Sequence, residues 1–147
     1  MMISNENNPF PSQKIIYHII RSWNESEIVE LYRCGNWWDI GWNTTGITSI
    51  IQGSYIFVIA IDTSNNTAIG MGRLISDGVS DGYVQDVAVL PEYRNHGIGT
   101  TIATILRKTG QLMGLSWIGL ISAPKKQNIY KKAGFNVMTD YLSMNIE

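Results

Sequence analysis

The sequence predicts an α+β domain with a mostly antiparallel sheet and helices on both faces. Short runs rich in β-branched and aromatic residues alternate with segments in which apolar residues recur every three or four positions. Polar turns such as residues 63–66 join neighbouring runs closely enough to form hairpins, and hairpins pair antiparallel. This mixture of strands and helices is typical of the α+β class.

The first half of the chain is predicted to begin with a strand and two helices. Lys14–Arg21 carries the β-branched residues of a strand. Asn24 is a favoured N-cap for the helix that follows, and Gly35 ends that helix. The remaining elements of this half are a short helix and a two-stranded hairpin, at residues 48–53, 55–62 and 67–75.

The second half contains the longest amphipathic helix, predicted at Gly97–Met113. Its apolar residues Ile98, Ile102 and Leu106 recur at four-residue steps and so share one face. A strand at Tyr83–Leu90 precedes this helix. The elements predicted after it are a strand, a short helix and two final strands, at residues 117–122, 127–133, 135–139 and 141–146.

Length and composition indicate one soluble domain. It is predicted at residues 13–147 of the 147-residue chain, after a polar, flexible tail at residues 1–12. The formal net charge of −1 gives no basic surface for nucleic acid, and the longest apolar run, Tyr55–Ile61, is too short to span a membrane. With no signal peptide visible, we expect a cytoplasmic protein. The single cysteine, Cys34, excludes an internal disulfide, and no metal-ligand spacing occurs.

A strand, a turn and two glycines one residue apart lead into the long helix. The strand includes Asp86–Val89, and the turn and glycines are Arg94–Gly99. A helix N-terminus carries free N–H groups and a partial positive charge, which attract phosphate, and glycine lets the backbone approach the anion closely. The segment lacks the lysine of a Walker A loop and the third glycine of a dinucleotide-binding fingerprint. A different phosphate site is therefore indicated.

Arg94–Gly99 fits the Q/R-x-x-G-x-G/A signature of the GNAT superfamily of N-acetyltransferases, which the chain resembles from about Ile15 to its end. Residues 129–135, which end in the pattern Y-x-x-x-G-F, are similar to the second motif of that family. Residues 70–78 resemble the strand and turn before its central strand. The resemblance implies a GNAT-like mixed, mostly antiparallel sheet of six to seven strands with helices on both faces, and acetyl-CoA as co-substrate without a metal.

By this resemblance, the pantetheine arm of acetyl-CoA pairs with the backbone of the central strand, and the diphosphate binds at the helix start. The strand residues that the resemblance assigns are Val87, Ala88 and Val89. The residues that it assigns at the helix start are Arg94, Asn95, His96, Gly97, Ile98, Gly99 and Thr100.

Tyr130, the tyrosine of the second motif, is expected to donate a proton to the leaving thiolate; the alternative is a ring that packs on the core. The sequence leaves open which group accepts the proton of the amine. Many relatives have a glutamate on the central strand where this chain has Tyr83 and Gln85. Asp86 is the nearest carboxylate, although strand alternation puts it on the face opposite Gln85. Water relayed by Gln85 or Asp86 is as good a candidate as direct abstraction.

Trp37, Trp38 and Trp42 fall where the family builds its acceptor pocket. Aromatic side chains can hold an amine by packing or by cation–π contact, while core packing or a dimer contact explains them equally well. Asp77 can attract a cationic amine, but an Asp-Gly pair favours a turn.

The resemblance predicts an enzyme that moves an acetyl group to a primary amine by direct attack in a ternary complex. A small-molecule acceptor is favoured over a protein amine. The alternative is a catalytically silent CoA-binding module that acts as a sensor or assembly partner. The missing strand glutamate favours this alternative, and Tyr130 argues against it. A homodimer is left open.

Overall fold

The computed structural model describes residues 3–4, 14–39 and 41–146. In these residues six strands form one sheet, and their order across the sheet is their order along the chain. Neighbouring strands pair antiparallel from β1 to β5, and β5 pairs with β6 in parallel. The sheet is therefore mixed. Its strands are β1 (Ile3–Ser4), β2 (Ile15–Ile19), β3 (Ile56–Asp62), β4 (Thr67–Ser76), β5 (Asp81–Val89) and β6 (Trp117–Leu120).

Helices cover the sheet on both faces. Asn24 caps the first helix through its side-chain oxygen, which accepts hydrogen bonds from the backbone N–H groups of Ser26 and Glu27. Gly35 ends that helix, as its position in the sequence predicts. The helices are α1 (Glu25–Cys34), α2 (Gly46–Gly53), α3 (Ile98–Leu112) and α4 (Gln127–Lys132), and a 3₁₀ turn at Pro91–Tyr93 leads from β5 towards α3.

Two apolar layers hold the helices against the sheet. On one face Ile102 and Leu106 of α3 are fully buried against residues that include Val58 and Leu74. On the other face α1 and α2 bury a second cluster, which includes Ile28, Leu31, Ile47, Phe57 and Ile59. All seven residues of β3 are buried, because this strand is covered on both sides.

A β-bulge interrupts the pairing of β4 with β5. Arg73 pairs with Gln85 and Met71 pairs with Ala88, so two residues of β5, Asp86 and Val87, face the single residue Gly72 of β4. Asp86 has a φ of 58°, in the left-handed region that non-glycine residues seldom adopt. A Cβ on Gly72 would lie 2.7 Å from Cγ2 of Ile102, so α3 can approach the bulge only over a glycine.

The strands β5 and β6 pair over only part of the length of β5. The register joins Asp81–Val84 to Trp117–Leu120. Beyond Val84, residues 85–89 of β5 have no partner on the β6 side within the described part of the chain. Apart from the carbonyl oxygen of Val89, which accepts from Nε of Arg94, the main-chain groups along that edge are left for another partner.

The α+β, GNAT-like class is confirmed, but the expected six to seven strands are not matched exactly. Five strands have four residues or more, and β1 has only two. The strands predicted at residues 135–139 and 141–146 are wrong, since these residues have no regular structure. Within the described part of the chain no strand pairs with these segments, and Leu142 is 89% exposed.

The tail predicted at residues 1–12 lies outside the described residues except for Ile3–Ser4, which pairs with β2. The boundary of the domain at residue 13 stays a prediction. Within the described ranges, none of the helices combines the length and the apolar character that crossing a lipid bilayer requires.

Candidate active site

The N-terminus of α3 is open to an anion. Gly97 directly precedes α3 with a φ of 80°, and within the described residues no side chain caps this helix end. Asn95 is also left-handed, with a φ of 64°. Left-handed residues in a turn direct successive backbone N–H groups into one concavity, and the helix dipole adds positive potential there. Residues 94–100, which are predicted to bind phosphate, thus include an uncapped helix N-terminus and two left-handed residues.

Neither glycine at this helix end is needed for packing within the chain. A Cβ on Gly97 would meet no atom within 4 Å, and one on Gly99 would meet Ile129 at an ordinary 3.5 Å. Gly97 is required by its positive φ, whereas Gly99 leaves the backbone bare. The first turn of α3 can thus be approached closely from outside.

Arg94 fastens this loop to the rest of the fold. Its Nε donates to the carbonyl oxygen of Val89 at 2.9 Å, and one terminal nitrogen donates to that of Cys34 at 3.3 Å. The guanidinium therefore ties the end of β5 to the end of α1. His96, which precedes Gly97, is exposed.

The free edge of β5 lies between the two apolar layers. Val87 and Val89 pack against the cluster under α3, while Ala88 is buried in the cluster under α1 and α2. Their side chains are thus used by the core. The main chain of this predicted pantetheine-binding segment lies along the gap that β6 leaves.

Tyr130 lies half-buried on α4. Its ring meets that of Phe135 edge-on, with centroids 6.3 Å apart. The hydroxyl of Thr100 donates to the carbonyl oxygen of Ile129 at 3.2 Å, which links α4 to the first turn of α3. Burial, with a smaller contribution from Tyr83, raises the pKa of Tyr130 above its usual value. The phenol therefore keeps its proton at neutral pH.

Asp86 and Gln85 meet at one guanidinium. Nε of Arg73 donates to Oδ2 of Asp86 at 2.7 Å, and a terminal nitrogen of Arg73 donates to Oε1 of Gln85 at 2.9 Å. The prediction that Asp86 and Gln85 point to opposite faces is therefore wrong. The bulge is the physical reason, because its extra residue breaks the strict alternation of side chains along β5.

Tyr32 of α1 completes this cluster. Its hydroxyl donates to Oδ2 of Asp86 at 2.7 Å, so the same carboxylate oxygen accepts from Tyr32 and from Arg73. Burial, together with the Asp86 carboxylate, raises the pKa of Tyr32. Tyr32 therefore stays protonated and remains a donor over the physiological pH range.

Two of the three tryptophans contact Tyr32, and the third contacts one of these two. The ring centroids of Trp37 and Trp38 lie 6.5 and 6.1 Å from that of Tyr32, and Trp42 lies 5.6 Å from Trp38. Trp37 and Trp42 are 42% and 57% exposed, while Trp38 packs partly on the core. Core packing thus explains Trp38 better than its two neighbours. The cluster adjoins the bulge through Tyr32.

Asp77 stabilises the turn in which it lies. Its Oδ1 accepts from the backbone N–H of Val79 at 2.8 Å, in the connection between β4 and β5. That connection is five residues before the bulge along β5, or about 16 Å away, so Asp77 is not part of the tryptophan cluster. In the described part of the chain, no three His, Cys, Asp or Glu residues gather as a metal site would require.

Two residues of the cluster, Arg73 and Tyr32, were not identified as site residues from the sequence. Arg73 did carry a signal, because a charged residue inside an otherwise apolar strand needs a partner. Tyr32 carried none, since its place on the apolar face of α1 fits simple packing.

Comparisons with known proteins give a consistent family. Residues 52–137, more than half of the chain, match the sequence model of the acetyltransferase (GNAT) domain. None of the curated proteins matches the chain in sequence.

Solved structures share the fold at low sequence identity. A probable acetyltransferase of unknown function from Staphylococcus aureus has 20% identity and a TM-score of 0.76, covering 90% of this chain and 98% of its own. A GNAT-family acetyltransferase from Streptococcus pneumoniae has 24% identity and a TM-score of 0.66, with coverages of 90% and 99%. Glucosamine-6-phosphate N-acetyltransferase from Arabidopsis thaliana has 14% identity and a TM-score of 0.67, with coverages of 89% and 99%.

Proposed function

Because the chain belongs to the GNAT family of acetyltransferases, we propose that it transfers the acetyl group of acetyl-CoA to the primary amine of a small molecule. One observation carries the proposal. The open N-terminus of α3 and the unpaired edge of β5 lie at successive points of the same chain segment. An acyl carrier with a diphosphate at one end and amide groups along its arm needs these two features together.

The diphosphate is assigned to the first turn of α3. Backbone N–H groups of residues 94–100 and the positive end of the helix dipole both favour an anion there. Gly97 and Gly99 leave room for it, since no side chain of the described residues fills the space over Gly97. Arg94 contributes by fixing the loop rather than by reaching outward.

The pantetheine arm is assigned to the free edge of β5. Its amides can add hydrogen bonds to the main chain of residues 87–89, in the way that an extended peptide joins a sheet edge. This arrangement would carry the thioester past the bulge towards Tyr130.

The reaction is a direct transfer in a ternary complex. The neutral amine attacks the thioester carbonyl carbon, the C–N bond forms, and the C–S bond breaks. Backbone N–H groups of β5 polarise the carbonyl oxygen as it gains charge. Tyr130 gives its phenolic proton to the departing thiolate, and the proton lost by the amine nitrogen passes to water, from which Tyr130 is reprotonated.

Water is the proposed proton acceptor because Asp86 is already engaged. Its Oδ2 accepts hydrogen bonds from both Arg73 and Tyr32, so this oxygen is already occupied by two donors within the fold. Gln85 has no basic group, although its amide can orient such a water.

The small-molecule acceptor is assigned to the tryptophan cluster. Trp37, beside Tyr32, and Trp42, beside Trp38, each expose about half of their surfaces, so they can enclose the apolar part of an amine or face its charge.

Replacement of Tyr130 by Phe tests the chemistry. We expect Tyr130→Phe to lower kcat by roughly 10²–10⁴-fold, the usual contribution of a general acid, while the Kd of acetyl-CoA changes little. The assay is thiol release from acetyl-CoA with a panel of amines. Tyr141→Phe, at a 73% exposed tyrosine away from α4, is the matched control and should retain wild-type kcat.

Three results would contradict parts of this proposal. Unchanged turnover of Tyr130→Phe would remove its acid role. Binding of acetyl-CoA without turnover of any amine would favour a silent binding module. Turnover of peptide amines alone would exclude the small-molecule acceptor.

A further inference from the structure

Asp86 sits at the point where the sheet parts. The pairing of β5 with β6 ends at Val84, and the bulge that faces Gly72 follows two residues later. A β-bulge bends its strand and increases the local twist. The bend at Asp86 therefore coincides with the start of the gap between β5 and β6.

The backbone at Asp86 is held in a conformation that an ordinary residue avoids. Its φ of 58° disfavours side chains with a Cβ, although Asp and Asn tolerate it better than most residues. Such outliers persist only where the surrounding structure enforces them. An unrestrained Asp86 would return towards the extended conformation of its neighbours.

Two side chains from different elements supply this restraint. Arg73 from β4 and Tyr32 from α1 both donate to Oδ2 of Asp86 at 2.7 Å. The side chains of Arg73 and Asp86 are only 19% and 15% exposed, so water competes weakly for the ion pair. Arg73 also holds Gln85, which directly precedes the bulge.

We propose that Asp86, gripped by Arg73 and Tyr32, is a positioning residue that locks the β5 bulge and so holds open the gap in which the acyl thioester reacts. This inference rests on the proposed acetyl transfer. It assigns Asp86 a conformational role in place of a proton-accepting one. The carboxylate acts by fixing the backbone, and it exchanges no proton during turnover.

A series of substitutions at Asp86 separates the two roles. Asn keeps an acceptor oxygen for Arg73 and Tyr32 and tolerates a positive φ, whereas Ala keeps neither property. Gly accepts the φ but loses both partners. Because none of the three can act as a base, a base role predicts equal losses. The lock predicts that Asp86→Asn has a kcat about tenfold or more above Asp86→Ala, with Asp86→Gly between them.

Further readouts exclude a loss of folding. Thermal midpoints are measured for each variant, and Asp140→Ala, at an exposed aspartate, is the matched control.

The acid limb of the pH profile of kcat/KM should persist in Asp86→Asn. Tyr32→Phe, which deletes one donor, should lower kcat several-fold.

Equal kcat values for the Asn and Ala variants, whether high or low, would overturn the lock. Loss of the acid limb in Asp86→Asn would also overturn it, in favour of a base. A wild type that acetylates no amine would instead refute the proposed function. In that case the Kd of acetyl-CoA is measured for the same Asp86 variants. Equal Kd values for Asp86→Asn and Asp86→Ala would refute the positioning role of Asp86 as well.

Discussion

Asp62 and Tyr93 connect the sheet to the loop before α3. The Asp62 carboxylate, at the end of β3, accepts from the hydroxyl of Tyr93 at 2.7 Å and from the Ser64 hydroxyl at 2.7 Å. Although burial opposes ionisation, these hydrogen bonds lower the pKa of Asp62. Burial and the bond to Asp62 raise the pKa of Tyr93 to about 12. This bond anchors the loop that begins at Pro91.

The anchor predicts a pH dependence of stability. A tyrosine pKa raised from 10 to about 12 stabilises the folded state below pH 10, and this stabilisation is lost as pH rises through 12. We expect the stability advantage of the wild type over Tyr93→Phe to shrink by about 1 kcal/mol between pH 9 and 12, a value discounted because the ring is partly exposed. Urea unfolding at each pH measures it. A constant difference would show that the hydrogen bond does not form.

Residue roles were predictable only where a motif fixes them. The spacing of Gly97 and Gly99 predicts the start of α3, which begins at Ile98, and their role in binding phosphate stays a prediction. The surroundings of Asp86 could not be predicted, because strict alternation assumes an uninterrupted strand. The bulge is accompanied by tertiary contacts, including a close approach of α3 over Gly72.

Among the helices and strands, those with a strong amphipathic pattern were predicted correctly and those with a weak pattern were not. The helix α3 has a complete apolar face that the sheet covers, and its predicted bounds are correct within one residue at each end. The segment 135–146 has alternating apolar residues but no strand beside it. The periodicity of a sequence shows which side chains a segment can bury. Whether the segment forms a strand depends on a neighbouring strand with which it can pair.

This contrast predicts different costs for two leucine substitutions. Leu106 of α3 is fully buried, so Leu106→Ala should lower the free energy of unfolding by about 2–5 kcal/mol. Leu142 is 89% exposed, so Leu142→Ser should change it by less than about 0.5 kcal/mol. Chemical denaturation measures both. A cost above about 1 kcal/mol for Leu142→Ser would mean that the segment packs against a partner.

For the whole molecule, the sequence predicts the family and the order of the elements because the GNAT motifs are spread over most of the chain. The match to the GNAT domain over residues 52–137 confirms the family. The acceptor was less predictable, since Trp37, Trp38 and Trp42 lie before that range and carry no shared motif.

Isothermal titration calorimetry measures whether the open end of α3 and the unpaired edge of β5 bind acetyl-CoA. The test compares Gly97→Ala with Gly114→Ala as its matched control. Both glycines have a positive φ, and a Cβ at either position would meet no atom within 4 Å, but Gly114 follows the far end of α3. We expect one acetyl-CoA to bind per chain. We expect Gly97→Ala to raise its Kd roughly tenfold and Gly114→Ala to leave the Kd unchanged. No binding by the wild type, or equal effects of the two substitutions, would contradict this binding assignment.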